Sequence, residues 1–127
     1  MARKILVVED DEQVAKLLCR QLDASGYEVL KAYNGEAGLK LARAKQPDLA
    51  LLDIGLPGMD GKTLCRIIKS HAETASIKII MLTGGRLMGD MEDSFSAGAD
   101  TYLNKPCDLH LLLTHIEKLV PEVRAGA

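Results

Sequence analysis

The chain has 127 residues, 47% of them hydrophobic, and a formal net charge of −2. That is the profile of one ordinary domain burying roughly two thirds of its unfolded surface, and it excludes a disordered chain. No basic run tracks a phosphate backbone, and the few aromatics (Phe95, Tyr27, Tyr33, Tyr102) offer no base-stacking surface, so direct nucleic-acid binding is not expected.

Two periods alternate along the chain. Residues 5–8 form a continuous apolar run, the mark of a strand buried on both faces of a parallel sheet, and Glu9-Asp10 follows directly. Val14, Leu17, Leu18 and Leu22 then share one face of a predicted helix that Gly26 stops. Residues 27–32 read as a weaker, edge-type strand. Asn34 caps a second helix carrying Ala37, Leu41 and Ala44, which ends before Pro47. Residues 49–52 are the third strand, with Asp53 at its end, and Leu64, Ile67 and Ile68 mark the third helix. Residues 77–82, broken only by Lys78, are the fourth strand and run into Thr83.

A fourth helix over about 87–97 is the poorest, because it holds Gly89 and follows Gly84-Gly85. One interior Gly costs about 1 kcal/mol relative to Ala. Residues 101–103 are a short last strand before Lys105. Leu109, Leu112, Leu113, Ile116 and Val120 mark a strong fifth helix closed by Pro121. The sum is an α/β fold: a doubly wound (βα)5 sandwich with a five-stranded parallel sheet, flavodoxin-like, in strand order 2-1-3-4-5. One domain is expected over residues 1–121, with 122–127 a short tail and no output domain.

Cys19, Cys65 and Cys107 have no C-x-x-C spacing and sit among apolar neighbours, so they read as small hydrophobes in a reducing, cytoplasmic setting. The apolar runs are far too short for a membrane span, and Met1 leads into charges and a strand rather than a signal peptide. His71, His110 and His115 share no ligand spacing with a cysteine or carboxylate cluster and read as helix-surface residues.

In an open parallel sheet the carboxyl ends of the strands share one edge, where ligand sites form. Glu9, Asp10, Asp53, Thr83 and Lys105 all stand at such ends, so one pocket should gather three carboxylates, a hydroxyl and an ammonium. Carboxylates this close repel unless a counter-charge is present. Mg²⁺ and Lys105 would supply it. Asp10 and Asp53 are the expected direct ligands of Mg²⁺, with the Gly55 backbone carbonyl, while Glu9 acts through water.

The run Asp53-Ile54-Gly55-Leu56-Pro57-Gly58-Met59-Asp60-Gly61 sets a loop of turn formers behind the central acid. Together with Ile5-Leu6-Val7-Val8-Glu9-Asp10-Asp11, Met81-Leu82-Thr83-Gly84 and Gly98-Ala99-Asp100-Thr101-Tyr102-Leu103-Asn104-Lys105-Pro106, the chain resembles the receiver domain of two-component response regulators. The resemblance covers essentially the whole sequence. It implies phosphoryl transfer to Asp53 from the phosphohistidine of a sensor histidine kinase or phosphotransfer protein. In that setting Lys105 and Mg²⁺ neutralise the phosphoryl oxygens, Thr83 bonds one of them, and the Lys105-Pro106 bond is cis. It also implies a switch in which Thr83 and Tyr102 move together. The fourth helix, last strand and fifth helix would then form the face for a downstream protein partner. Gly55 and Gly84-Gly85 flank the site at positions that tune acyl-phosphate hydrolysis in this family, which implies an intermediate lifetime.

Three alternatives stay open. An aspartyl-phosphate-type phosphatase on a similar fold would carry a second acid at the position of Gly55. A flavodoxin-like cofactor binder would not place Glu9-Asp10-Asp11-Glu12 in its first loop. A degenerate receiver used as a scaffold would not need the intact acid set.

Overall fold

The continuous apolar runs are strands buried on both faces. The computed structural model describes residues 2–84, 97–105 and 108–121. Five strands, β1 (Lys4–Val8), β2 (Glu28–Ala32), β3 (Leu49–Asp53), β4 (Lys78–Thr83) and β5 (Thr101–Asn104), form one sheet in the order β2-β1-β3-β4-β5. Every pairing is parallel. The four helices among the described residues are α1 (Glu12–Ala24), α2 (Gly35–Lys45), α3 (Gly61–Ser70) and α4 (Leu109–Leu119). The predicted helix at 87–97 (all but Ala97), with Gly85, Gly89 and Phe95, lies outside the described residues, as do Pro106, Cys107 and the tail 122–127.

Alternation along each strand sorts the core into two layers. Leu6, Val8, Ala50, Leu52, Ile79 and Met81 point toward α2 and α3, where Ala42, Leu64, Cys65 and Ile68 complete the layer. Ile5, Val7, Leu49, Leu51, Ile80 and Leu82 point the other way and meet Leu22 of α1 with Leu112 and Ile116 of α4. Fully burying one such aliphatic side chain contributes about 1.5–3 kcal/mol. A sheet covered on both faces has little freedom left at its carboxyl edge, and the site is built there.

Each described helix starts on an Asp or Asn whose side chain accepts backbone N–H groups: Asp11, Asn34, Asp60 and Asp108. Gly26, at φ 97°, ends α1, with Tyr27 N–H donating back to the Leu22 carbonyl at 3.2 Å. Only an unhindered left-handed residue permits that reversal.

Two helix faces differ from the sequence expectation. Val14 and Leu17 of α1 are 40% and 54% exposed, while Ala15 and Leu22 are buried. At about 100° per residue, Leu17 lies about 140° from Leu22, outside the inward arc. On α2 the inward face is Gly35, Gly38 and Ala42, and Ala44 is exposed. Small residues there let the helix lie close on the sheet, and the larger Leu41 sits at its flank.

Of the cysteines, Cys65 is buried and Cys19 half-buried, both free. Burial pushes the Cys65 thiol up to about 11, which leaves it unreactive at neutral pH. His71 and His110 are exposed and His115 half-buried. Among the described residues, no helix is long and apolar enough to cross a membrane.

Candidate functional site

The register of the strands sets the depth of each polar side chain. Val8 pairs with Leu52, so Glu9 and Asp53 leave the sheet side by side; Asp53 pairs with Leu82 and Thr83 with Asn104. Backbone pairing persists one step past the strands: Glu9 N–H donates to Ala32 O at 3.0 Å and Lys105 N–H to Thr83 O at 2.7 Å. These bonds hold the backbones of Glu9 and Lys105 at the shared edge.

Lys105 Nζ stands 2.7 Å from Glu9 Oε1 and 3.4 Å from Asp53 Oδ2. The other Glu9 oxygen accepts the Asp11 backbone N–H at 3.2 Å, and Asp53 Oδ1 accepts the Gly55 N–H at 3.0 Å. Glu9, Asp53 and Thr83 are buried, and Asp10 is exposed at the mouth. Ligand oxygens of Glu9, Asp10 and Asp53 all lie within 4.8 Å of one another. Tyr102 is half-buried, packed against the layer that contains Met81, Ala97 and Ala99.

Electrostatics follow from this geometry. Burial pushes the Glu9 carboxyl above its usual range, and the Lys105 hydrogen bond offsets only part of that. Burial also disfavours the Lys105 ammonium, but the carboxylates of Glu9 and Asp53 outweigh it and hold the lysine above its usual range. Three carboxylates against one ammonium leave a formal excess of two negative charges. That excess equals the charge of one divalent cation, and the donors are all hard oxygens with one side open to water. The set fits Mg²⁺.

Both the sequence and the fold that carries this site match known proteins. The sequence pattern of the response regulator receiver domain matches residues 5–117. The chain belongs to this family. The receiver domain is 38% identical over 117 residues to the DNA-binding dual master transcriptional regulator RpaA of Synechocystis, covering 92% of this chain and 48% of that protein. It is also 38% identical over 119 residues to the response regulator PleD of Caulobacter vibrioides, covering 94% of this chain and 26% of PleD. The chain thus spans half or less of these curated relatives. A CheY-like receiver domain protein from Methanospirillum hungatei superposes with a TM-score of 0.85 at 37% identity, covering 94% of each chain.

The sequence reading brings together Glu9, Asp10, Asp53, Thr83 and Lys105, and the side chains of Glu9, Asp10, Asp53 and Lys105 converge in the structure. Thr83 lies buried on the adjacent strand end, and Tyr102 faces the layer on the α2–α3 side. What the reading missed is the support around them. Asp11 fixes Glu9 through its backbone N–H, and Asp60 caps α3, its side chain accepting from Thr63 N at 2.8 Å. An Asp just before an amphipathic run is a helix-start signal, so both caps could have been found.

Proposed function

We propose that this receiver domain is a phosphorylation-activated signalling switch. Asp53 takes a phosphoryl group from the phosphohistidine of a sensor histidine kinase or phosphotransfer protein. An Asp53 oxygen forms the new P–O bond while the donor's P–N bond breaks, and the released imidazole takes up a proton. The observation that carries this reading is Lys105 Nζ lying within 4 Å of both Glu9 and Asp53 in a pocket still short of positive charge.

Asp10, Asp53 and the Gly55 carbonyl would hold Mg²⁺, with Glu9 acting through water. The metal, when bound, supplies charge neutralisation to the phosphoryl oxygens. A carboxylate is a weak nucleophile, so alignment and neutralisation carry the chemistry rather than acid–base steps. Lys105 would pair with a phosphoryl oxygen, and Thr83 would hydrogen-bond another. The exposed Val14 and Leu17 flank a groove of about 400 Å³ that Leu82 and Leu112 floor and Glu9 and Lys105 border. An apolar rim beside the acids suits a protein donor.

Output follows from Thr83 and Tyr102 shifting together and altering the face of β5 and α4, which controls a protein partner. No direct nucleic-acid or membrane contact is part of this reading, and a cytoplasmic location accords with it. The domain catalyses only its own phosphoryl transfer and slow dephosphorylation, with an acyl-phosphate lifetime longer than seconds. Incubation with acetyl phosphate and Mg²⁺ should add one phosphoryl group by intact mass, and Asp53→Asn should abolish it. A phosphate retained in Asp53→Asn would remove Asp53 from the acceptor role.

A further inference from the structure

Gly61, the first residue of α3, lies against the backbone of Asp53. A Cβ there would overlap the Asp53 carbonyl oxygen and stand 2.9 Å from both the Asp53 carbonyl carbon and Ile54 Cα. These are backbone atoms at a buried strand end, so no side-chain rotation relieves the overlap. Gly35, the first residue of α2, presses on the same loop from another side. A Cβ at Gly35 would come to 2.6 Å from the Met59 carbonyl oxygen and 3.0 Å from Met59 Cβ. Neither glycine is among the described residues with positive φ, so proximity rather than backbone conformation requires them.

The loop between these two approaches is closed on itself. Gly61 N–H donates to Ile54 O at 3.2 Å, and Gly55 N–H in turn holds Asp53 Oδ1 at 3.0 Å. An outward shift of α3 therefore pulls on the Ile54 carbonyl, which lies between Asp53 and the Gly55 N–H. The direction of the carboxylate depends on that spacing, with Oδ1 toward Gly55 and Oδ2 toward Lys105.

We propose that Gly61, seconded by Gly35, is a positioning residue for phosphoryl acceptance: the close approach of α3 to the end of β3 fixes the aim of the Asp53 carboxylate. This rests on the reading of Asp53 as the phosphoacceptor. Displacing a reacting group by about 1 Å costs on the order of a hundredfold in rate, so a single methyl at residue 61, which meets the Asp53 backbone and not its carboxylate, should act strongly.

The test compares Gly61→Ala with Leu22→Ala, which opens a cavity in the opposite layer, far from the loop. Phosphorylation by acetyl phosphate and the midpoint of Mg²⁺ titration are both read per folded molecule, with folding followed by far-UV circular dichroism. The expected result for Gly61→Ala is a rate lower by on the order of tenfold or more, together with weaker Mg²⁺ binding. Leu22→Ala, read the same way, should match wild type in both. Equal behaviour of the two folded variants would overturn the proposal. If Gly61→Ala does not fold, Gly35→Ala decides: slowed transfer supports the positioning role, and wild-type transfer with wild-type Mg²⁺ binding overturns it. A wild-type protein that takes up no phosphate would remove the Asp53 reading and this role together, whereas a competent wild type with unaffected variants removes only the role.

Discussion

Lys105 and Glu9, 96 residues apart, are joined by an ion pair of 2.7 Å in which the carboxylate is 2% exposed and the ammonium 28%. The closeness of this pair, rather than the longer approach to Asp53, anchors the lysine. Removing one partner of a buried pair costs about 3–5 kcal/mol. Lys105 is partly open to solvent and Glu9 can take up a proton, so Lys105→Met is expected to cost about 1–3 kcal/mol at neutral pH. Urea denaturation measures it. The difference should shrink in acid, as Glu9 protonates and no longer needs a counter-charge. An unchanged midpoint at neutral pH would show the pair to be neutral for folding.

Mg²⁺ should stabilise the fold, because three clustered carboxylates exist as a site only in the native state. A ligand at a hundred times its Kd adds about 2.7 kcal/mol by mass action. A clear rise in Tm on adding Mg²⁺ is therefore expected, and Asp10→Asn should remove most of it. Asp10 is exposed, so that substitution should cost little stability by itself. A full Mg²⁺-dependent rise in Asp10→Asn would exclude this carboxylate as a ligand.

Much of this arrangement was legible in the chain because parallel strands buried on both faces announce themselves as unbroken apolar runs, and their polar ends then share an edge by topology. Glu9, Asp53 and Lys105 were found that way. Helix faces were less legible. Hydrophobicity alone placed Ala44 inward on α2, whereas Gly38 and Ala42 face the sheet and Gly35 the Met59 loop, since small size rather than apolarity decides how closely that helix can lie. Gly61 was read only as a turn former. Its apposition to Asp53 depends on the three-dimensional path of a loop, which no local pattern encodes.

Asp60 gives a pH signature separate from the acidic cluster. Its hydrogen bond from the Thr63 N–H is the main cause holding this carboxyl below the usual aspartate range. A depressed carboxyl contributes stability above its unfolded value, about 3.9, and loses it as pH falls through the lower folded value. Asp60→Ala should cost about 1 kcal/mol near neutrality, and the gap to wild type should close in acid. A gap independent of pH would assign the effect to packing instead of the charged cap.

The two leucines of α1 separate folding from surface. Leu22 is fully buried between α1 and the sheet, so Leu22→Ala should cost about 2–5 kcal/mol through lost burial and the cavity left behind. Leu17 is 54% exposed, and Leu17→Ala should cost about 0.5 kcal/mol or less. If the groove beside Glu9 and Lys105 receives a protein donor, Leu17→Ala should slow phosphorylation by that donor while leaving transfer from acetyl phosphate unchanged, because the small molecule needs no apolar rim. Equal slowing with both donors would place the effect in the acidic pocket rather than at a docking surface. Side-by-side rates with a purified phosphohistidine protein and with acetyl phosphate make the distinction.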